Sequence, residues 1–231
     1  MERMENKEVL NRIRGGLVVS CQALCGEPLH SPYIMGRMAV AAEEGGACGI
    51  RANSPKDVLE IRRNVSLPII GLYKVEYGDS EVYITPTMKE VDAMAQTGCE
   101  IIALDATDRP RPGGVGLAEF FTAVREKYPD RLFMADTSCF EEGRRAVELG
   151  FDLVGTTLSG YTPYTRGRSL PDYELMERYV RELRVPVVAE GGIWETAQLR
   201  RARETGVWAC VIGTAITRPQ EITRRFVENM G

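Results

Sequence analysis

The feature that most limits what this chain can fold into is a recurrence. Short apolar runs rich in Val, Ile and Leu return at residues 16–22, 47–51, 68–74, 100–106, 132–137, 152–158, 186–190 and 209–214. Each is followed by a stretch of helical period, near 33–44, 55–64, 88–97, 117–127, 140–149, 173–183, 194–204 and 219–229. A run that is apolar along its whole length belongs to a strand covered on both faces, and alternation with helices makes such strands parallel. Eight strand-helix units in 231 residues fit one closed (β/α)8 barrel, the TIM barrel, better than an open sheet. An α/β fold with a single barrel domain over residues 1–231 is therefore expected.

Local signals agree with this division. Thr87 is placed to N-cap a helix, Gly98 and Gly150 follow last helical turns where a left-handed residue is easiest, and Pro219 suits a first helical position. Residues 6–14 read as a short extra N-terminal helix that covers one end of the barrel. The loops at 75–86 and 159–170 are longer than their neighbours. Both follow strands, which puts them at the face where barrel enzymes keep their chemistry.

Composition removes several classes of function. Lys+Arg 29 against Asp+Glu 33 leaves a formal charge of -4, which supplies no global positive field for nucleic acid. The first 14 residues are charged and no run of 18 apolar residues occurs, so a cytoplasmic protein without a membrane partner is expected. His30 is the single histidine, which leaves Ser-His-Asp chemistry to it alone and excludes any metal site needing two imidazoles from one chain. Cys21, Cys25, Cys48, Cys99, Cys139 and Cys210 lack paired CxxC spacing and read mostly as small buried hydrophobes. The tightest pair, Cys21 and Cys25, also permits a redox couple.

The carboxyl ends of barrel strands open into one shared mouth, where a polar residue is more often functional than packing. The runs end, in order, in Cys21-Gln22, Arg51-Ala52-Asn53, Lys74, Asp105-Ala106-Thr107, Asp136-Thr137-Ser138, Thr156-Thr157, Glu190-Gly191-Gly192 and Gly213-Thr214. Bland readings exist: Arg51 with Asp136 as a structural ion pair, Gln22 and Thr107 as partners of loop backbone, Asp105 as the cap of its own loop. Lys74 and Glu190 resist them, because a charged group without a task at the end of an apolar run costs desolvation.

Gly191-Gly192 and Gly213-Thr214 bring side-chain-poor backbone to the loops after strands seven and eight. Together with a helix N-terminus, those two loops commonly hold phosphate in barrel enzymes. Arg218 lies just beyond, where a guanidinium can fork onto phosphate oxygens. Tight turns alone are the alternative. With a phosphate anchor and a lysine and glutamate in opposite sectors, two reactions are natural: proton transfer at a carbon beside a carbonyl, and Schiff-base chemistry through Lys74. Apolar strands and the neighbouring Arg51 disfavour the lysine's charged form, moving it toward the roughly 7 to 8 that suits a general base. Glu190 is then the partner acid or base. The third and seventh strands face each other across a barrel, so their end groups approach a bound sugar from different sides, which suits inversion of a stereocentre.

Taken together, Ser20-Cys21-Gln22-Ala23, Gly49-Ile50-Arg51-Ala52-Asn53, Gly71-Leu72-Tyr73-Lys74, Ala135-Asp136-Thr137-Ser138, Ala189-Glu190-Gly191-Gly192-Ile193 and Gly213-Thr214-Ala215-Ile216-Thr217-Arg218-Pro219 closely resemble the bacterial N-acetylmannosamine-6-phosphate 2-epimerases. The likeness keeps the family's order and covers nearly the whole chain. It implies a cofactor-independent, metal-free isomerase that interconverts N-acetylmannosamine 6-phosphate and N-acetylglucosamine 6-phosphate in amino-sugar and sialic acid catabolism. By position it implies Lys74 and Glu190 as catalytic, and Gln22, Arg51 and Asp136 as holding the sugar. Gly191, Gly192, Gly213, Thr214 and Arg218 fall at the phosphate site. The implied mechanism is ring opening, removal of the C2 proton beside the C1 aldehyde, and return of a proton to the opposite face, with Arg51 beside the enediolate-like oxygen. Residues 160–168, with Tyr161, Tyr164, Arg166 and Arg168, are expected to cover the sugar, and a homodimer is expected because phosphosugar barrels often pair.

Overall fold

A strand buried on both faces sends alternate side chains to two different cores, and that period of two organises this molecule. The computed structural model describes residues 5–230. Its strands are β1 (Leu17–Cys21), β2 (Gly49–Asn53), β3 (Ile69–Leu72), β4 (Ile101–Asp105), β5 (Leu132–Asp136), β6 (Leu153–Gly155), β7 (Val187–Glu190) and β8 (Ala209–Ile212). Each pairs with the next, all in parallel, and β8 pairs back to β1 to close the barrel. Its helices are α1 (Asn6–Ile13), α2 (Pro32–Glu44), α3 (Pro55–Asn64), α4 (Met88–Gln96), α5 (Leu117–Lys127), α6 (Phe140–Leu149), α7 (Tyr173–Glu182), α8 (Thr196–Glu204), α9 (Thr214–Thr217) and α10 (Pro219–Glu228). The eight expected strands and the alternation with helices are all present.

One set of alternating residues fills the barrel: Val18, Ile70, Leu72, Ile101, Ala103, Leu132, Met134, Leu153, Val188, Ala209 and Val211 share one buried cluster. The other set, including Ile50, Ala52, Phe133 and Ala135, packs outward under the helices. Helix α1 adds Val9 and Ile13 to the interior cluster and so floors the barrel at its amino-terminal end, as the short extra helix was expected to do.

Caps fix the helix ends. Thr87 and Glu90 form a capping box on α4, Gly98 and Gly150 take φ of 77° and 93°, and Pro219 opens α10. Helix α8 begins two residues later than the sequence pattern suggested. Gln198 Oε1 accepts from the backbone N–H groups of Trp194 (2.8 Å) and Glu195 (3.0 Å), which holds both in the cap. Two short elements went unexpected, α9 and a single 3₁₀ turn at Pro112–Gly114.

The two long loops are ordered by different means. After β3 the chain doubles back as an antiparallel hairpin in which Lys74 bridges to Ile84 and Val75 N–H donates to Tyr83 O at 3.0 Å. The loop after β6 is stapled to the start of α7 and to the β5–α6 junction. Ser159 Oγ donates to Asp172 Oδ2 (2.6 Å), Arg168 donates to Ser138 O (3.1 Å), and the Tyr164 hydroxyl donates to buried Glu142. No helix among the described residues is long and apolar enough to cross a membrane.

Candidate active site

The inward parity of each strand, carried one step past its apolar body, sets the residues of the mouth. From Val18 it reaches Ser20 and Gln22; from Gly49, Arg51; from Ile70 and Leu72, Lys74; from Leu132 and Met134, Asp136; from Leu153 and Gly155, Thr157; from Val188, Glu190. These ends surround a cavity of about 510 Å³ whose wall includes Gln22, Arg51, Lys74, Glu190, Gly191, Gly192, Gly213, Thr214 and Arg218. Nine of the ten site residues expected from the sequence therefore meet in one place. Asp136 is the tenth: it is fully buried behind Arg51 and is not part of the cavity wall.

Arg51 is the electrostatic hub. Its Nη2 donates to Asp136 Oδ2 at 2.6 Å and its Nη1 to Oδ1 at 3.1 Å, while Nη1 also lies 3.1 Å from Glu190 Oε2. Burial alone would lower the pKa of this guanidinium, but the charges of Asp136 and Glu190 overcome it and the net direction is up, so Arg51 is a permanent cation. Thr157 Oγ1 donates to Asp136 Oδ1 at 2.7 Å and stands 3.3 Å from Glu190 Oε2, which closes a ring of four polar groups.

Lys74 stands at the end of β3, four strands round the barrel from Glu190 on β7. Its backbone is fixed by the bridge to Ile84 and by an N–H donated to Asn53 Oδ1 at 2.8 Å. Its Nζ makes no hydrogen bond or ion pair with another described residue. Burial first and Arg51 second push its pKa down to about 8, against the opposing pull of Glu190 and Asp136. Burial raises Glu190 to about 6, Arg51 opposing and Asp136 reinforcing it. One site thus holds a lysine made less basic and a glutamate made less acidic, the arrangement of an acid and base that exchange protons near neutral pH.

The remaining residues sort by contact. Gln22 Nε2 donates to Ser20 Oγ at 2.9 Å, and Gln22 Oε1 is buried with no partner among the described residues, an acceptor open to a ligand. Asp105 takes the bland role: Oδ1 accepts from Thr107 N (3.0 Å) and Thr107 Oγ1 (2.7 Å), and Oδ2 pairs with Arg109 at 2.7 Å. His30 lies after β1 with Nδ1 3.1 Å from Ala23 O, outside the cavity wall. Four cysteines are buried, Cys48 is half-buried and Cys25 is exposed. Gly192 has φ 72°, and a Cβ there would lie 2.4 Å from Leu170 Cβ, so only glycine lets the loop after β7 pass the loop after β6. The Arg218 guanidinium forks onto Glu27, with Nη2 2.5 Å from Oε1 and Nε 3.3 Å from Oε2.

Among the cavity residues that carried no role in the sequence reading are Thr157, Tyr83 and Glu27. Thr157 was legible from strand parity. Tyr83 reaches the wall because the hairpin after β3 folds back beside Lys74. Glu27 meets a partner 191 positions away and had no local signal.

Known proteins share this fold and about half of its sequence. The family model described as an N-acetylmannosamine-6-phosphate epimerase matches residues 35–231. An N-acetylmannosamine-6-phosphate 2-epimerase of Caldanaerobacter subterraneus subsp. tengcongensis is 54% identical over 220 residues, covering 95% of this chain and 93% of the relative. One from Clostridium perfringens is 52% identical, covering 95% and 99%. A solved structure of the Clostridium perfringens N-acetylmannosamine-6-phosphate 2-epimerase superposes with a TM-score of 0.92 at 50% identity, covering 99% of each chain. A thiamine phosphate pyrophosphorylase from Pyrococcus furiosus, 20% identical with a TM-score of 0.61 over 96% of this chain and 100% of its own, shares the fold alone.

Proposed function

The chain belongs to the N-acetylmannosamine-6-phosphate epimerase family and is an epimerase, and we propose that it interconverts N-acetylmannosamine 6-phosphate and N-acetylglucosamine 6-phosphate with Lys74 and Glu190 carrying the proton. The observation that supports this best is the pairing itself: a lysine lowered to about 8 and a glutamate raised to about 6, on opposite strands of one cavity. The glycine loops at Gly191, Gly192, Gly213 and Thr214, with Arg218, hold the phosphate at the β7–β8 side. Phosphate fixed there leaves the sugar carbons to reach the centre of the mouth.

The open-chain aldehyde makes the C2 hydrogen acidic. Neutral Lys74 removes it, the electron pair moves onto the C1 oxygen, and Arg51 stabilises the negative charge as it develops. Asp136 holds Arg51 in place, and Gln22 accepts a hydrogen bond from the sugar. Glu190 handles the proton at the opposite face, and protonation of the enolate at C2 gives the inverted centre. No added cofactor enters this sequence of steps. The whole chain works as one domain, in the cytoplasm and as a homodimer. Exposed Phe226 and Val227 on α10 and Met230 beyond it favour such pairing.

The test is turnover in deuterated water followed by NMR. N-Acetylmannosamine 6-phosphate should give the gluco epimer carrying deuterium at C2. Absence of turnover rejects the function, turnover without exchange rejects a solvent-exchanging base, and a borohydride-trapped adduct on Lys74 would replace proton transfer with Schiff-base chemistry.

A further inference from the structure

We infer that Glu27 is a positioning residue for phosphate recognition, holding the Arg218 guanidinium side-on so that its Nη1 edge is left for the substrate phosphate. This rests on Arg218 being the phosphate arginine proposed above. The fork engages Nε (3.3 Å) and Nη2 (2.5 Å), and Nη1 has no partner among the described residues. Both side chains line the cavity.

The pair is held from both ends. Glu27 N–H bonds Leu24 O at 3.0 Å and Glu27 O accepts from His30 N–H at 3.0 Å, so the carboxylate projects from a fixed turn after β1. Arg218 O accepts from Glu221 N–H (3.0 Å) and Ile222 N–H (3.1 Å), which locks its backbone at the start of α10. A rival carboxylate stands close: Glu221 Oε1 lies 3.8 Å from the same Nη2, while its Oε2 is held by Arg224 at 2.7 Å. Without Glu27, Glu221 is the nearest anion and draws the guanidinium toward the first turn of α10.

Charge and geometry make opposite forecasts. A carboxylate beside a phosphate weakens the local positive potential, so simple charge counting has Glu27→Ala tightening phosphate. Positioning has it loosening phosphate. The experiment measures kcat and KM with N-acetylmannosamine 6-phosphate, and the inhibition constant of inorganic phosphate, for wild type, Glu27→Ala, Glu27→Gln, Arg218→Gln and the pair Glu27→Ala with Glu221→Gln. Glu27→Ala should raise KM and the phosphate inhibition constant on the order of tenfold, the scale of a lost charge-assisted fork, with the larger effect on KM rather than kcat. Glu27→Gln should show a smaller rise, since one amide oxygen keeps one leg of the fork, and Glu221→Gln should restore part of the Glu27→Ala loss. An unchanged or lowered phosphate inhibition constant in Glu27→Ala or in the isosteric Glu27→Gln overturns the inference. If Arg218→Gln weakens phosphate and the Glu27 variants do not, the Glu27 inference alone fails. If Arg218→Gln changes neither constant, the phosphate-site reading fails and takes the inference with it.

Discussion

Arg51 and Asp136 meet edge to edge, Nη2 to Oδ2 at 2.6 Å and Nη1 to Oδ1 at 3.1 Å, with 1% and 0% of their side chains exposed. A pair this enclosed stabilises little as a pair but costs much when split, because the survivor is a buried charge without its partner. Asp136→Leu should therefore lose about 3–5 kcal/mol in denaturant unfolding. The double variant Arg51→Met with Asp136→Leu should recover part of that while remaining inactive, the remainder being the loss of Arg51 as partner of Glu190. Equal stability of the single and double variants would show that the pair is not electrostatically closed.

The rate should depend on the number of protons shared by Lys74 and Glu190. The states with the proton on the lysine or on the glutamate carry the same net charge, so the pair titrates as a unit. With one group near 8 and the other near 6, kcat/KM should follow a bell with flanks at about 6 and about 8. Glu190→Gln should abolish the alkaline limb of any residual activity, leaving a rise with pH as Lys74 loses its proton. A flat profile from pH 5 to 9 would refute the assignment.

Replacing the lysine should stabilise the protein while it removes activity. Lys74 is lowered from 10.5 to about 8, so below pH 8 it is protonated in both folded and unfolded chains and folding carries the full desolvation cost. As pH rises from 8 to 10.5 the unfolded chain also becomes neutral and the cost disappears. Lys74→Met should thus melt higher than wild type at pH 7, by an amount equivalent to roughly 1–3 kcal/mol, and the gap should shrink by pH 10. A gap that grows with pH has the wrong sign for this account.

The close approach of two loops at Gly192 gives a further test. Alanine there meets both a φ of 72° and a Cβ 2.4 Å from Leu170 Cβ. Gly192→Ala should cost about 1–3 kcal/mol and, on the proposed phosphate site, raise KM for the phosphosugar, since the loop after β7 must move to relieve the overlap. Calorimetry together with steady-state kinetics measures both.

Much of this was legible in the sequence because a period of two leaves a written trace. The parity that runs Leu132, Met134, Asp136 or Val188, Glu190 is enough by itself to place a residue inside the barrel. The bland reading of Arg51 with Asp136 as an ion pair also proved right, and it coexists with a place for Arg51 on the cavity wall. What escaped was contact between elements far apart in the chain. Nothing local marks Glu27 as the partner of Arg218, or Tyr164 as the donor to Glu142. The start of α8 was displaced for a related reason, since a single side-chain amide, Gln198, fixes two backbone groups that hydrophobic periodicity assigns to the helix.

The seam between β8 and β1 joins the first strand to the last, and the loops proposed to hold phosphate lie across it. Thr217 Oγ1 donates to Ser20 O at 2.7 Å, Cys210 N–H donates to Gly16 O at 3.2 Å, and Arg218 reaches Glu27. During synthesis the first strand waits for the last, since the barrel closes only when β8 can pair with β1. A phosphate seated at the proposed site would act as a clasp on a ring, holding shut the joint between β8 and β1.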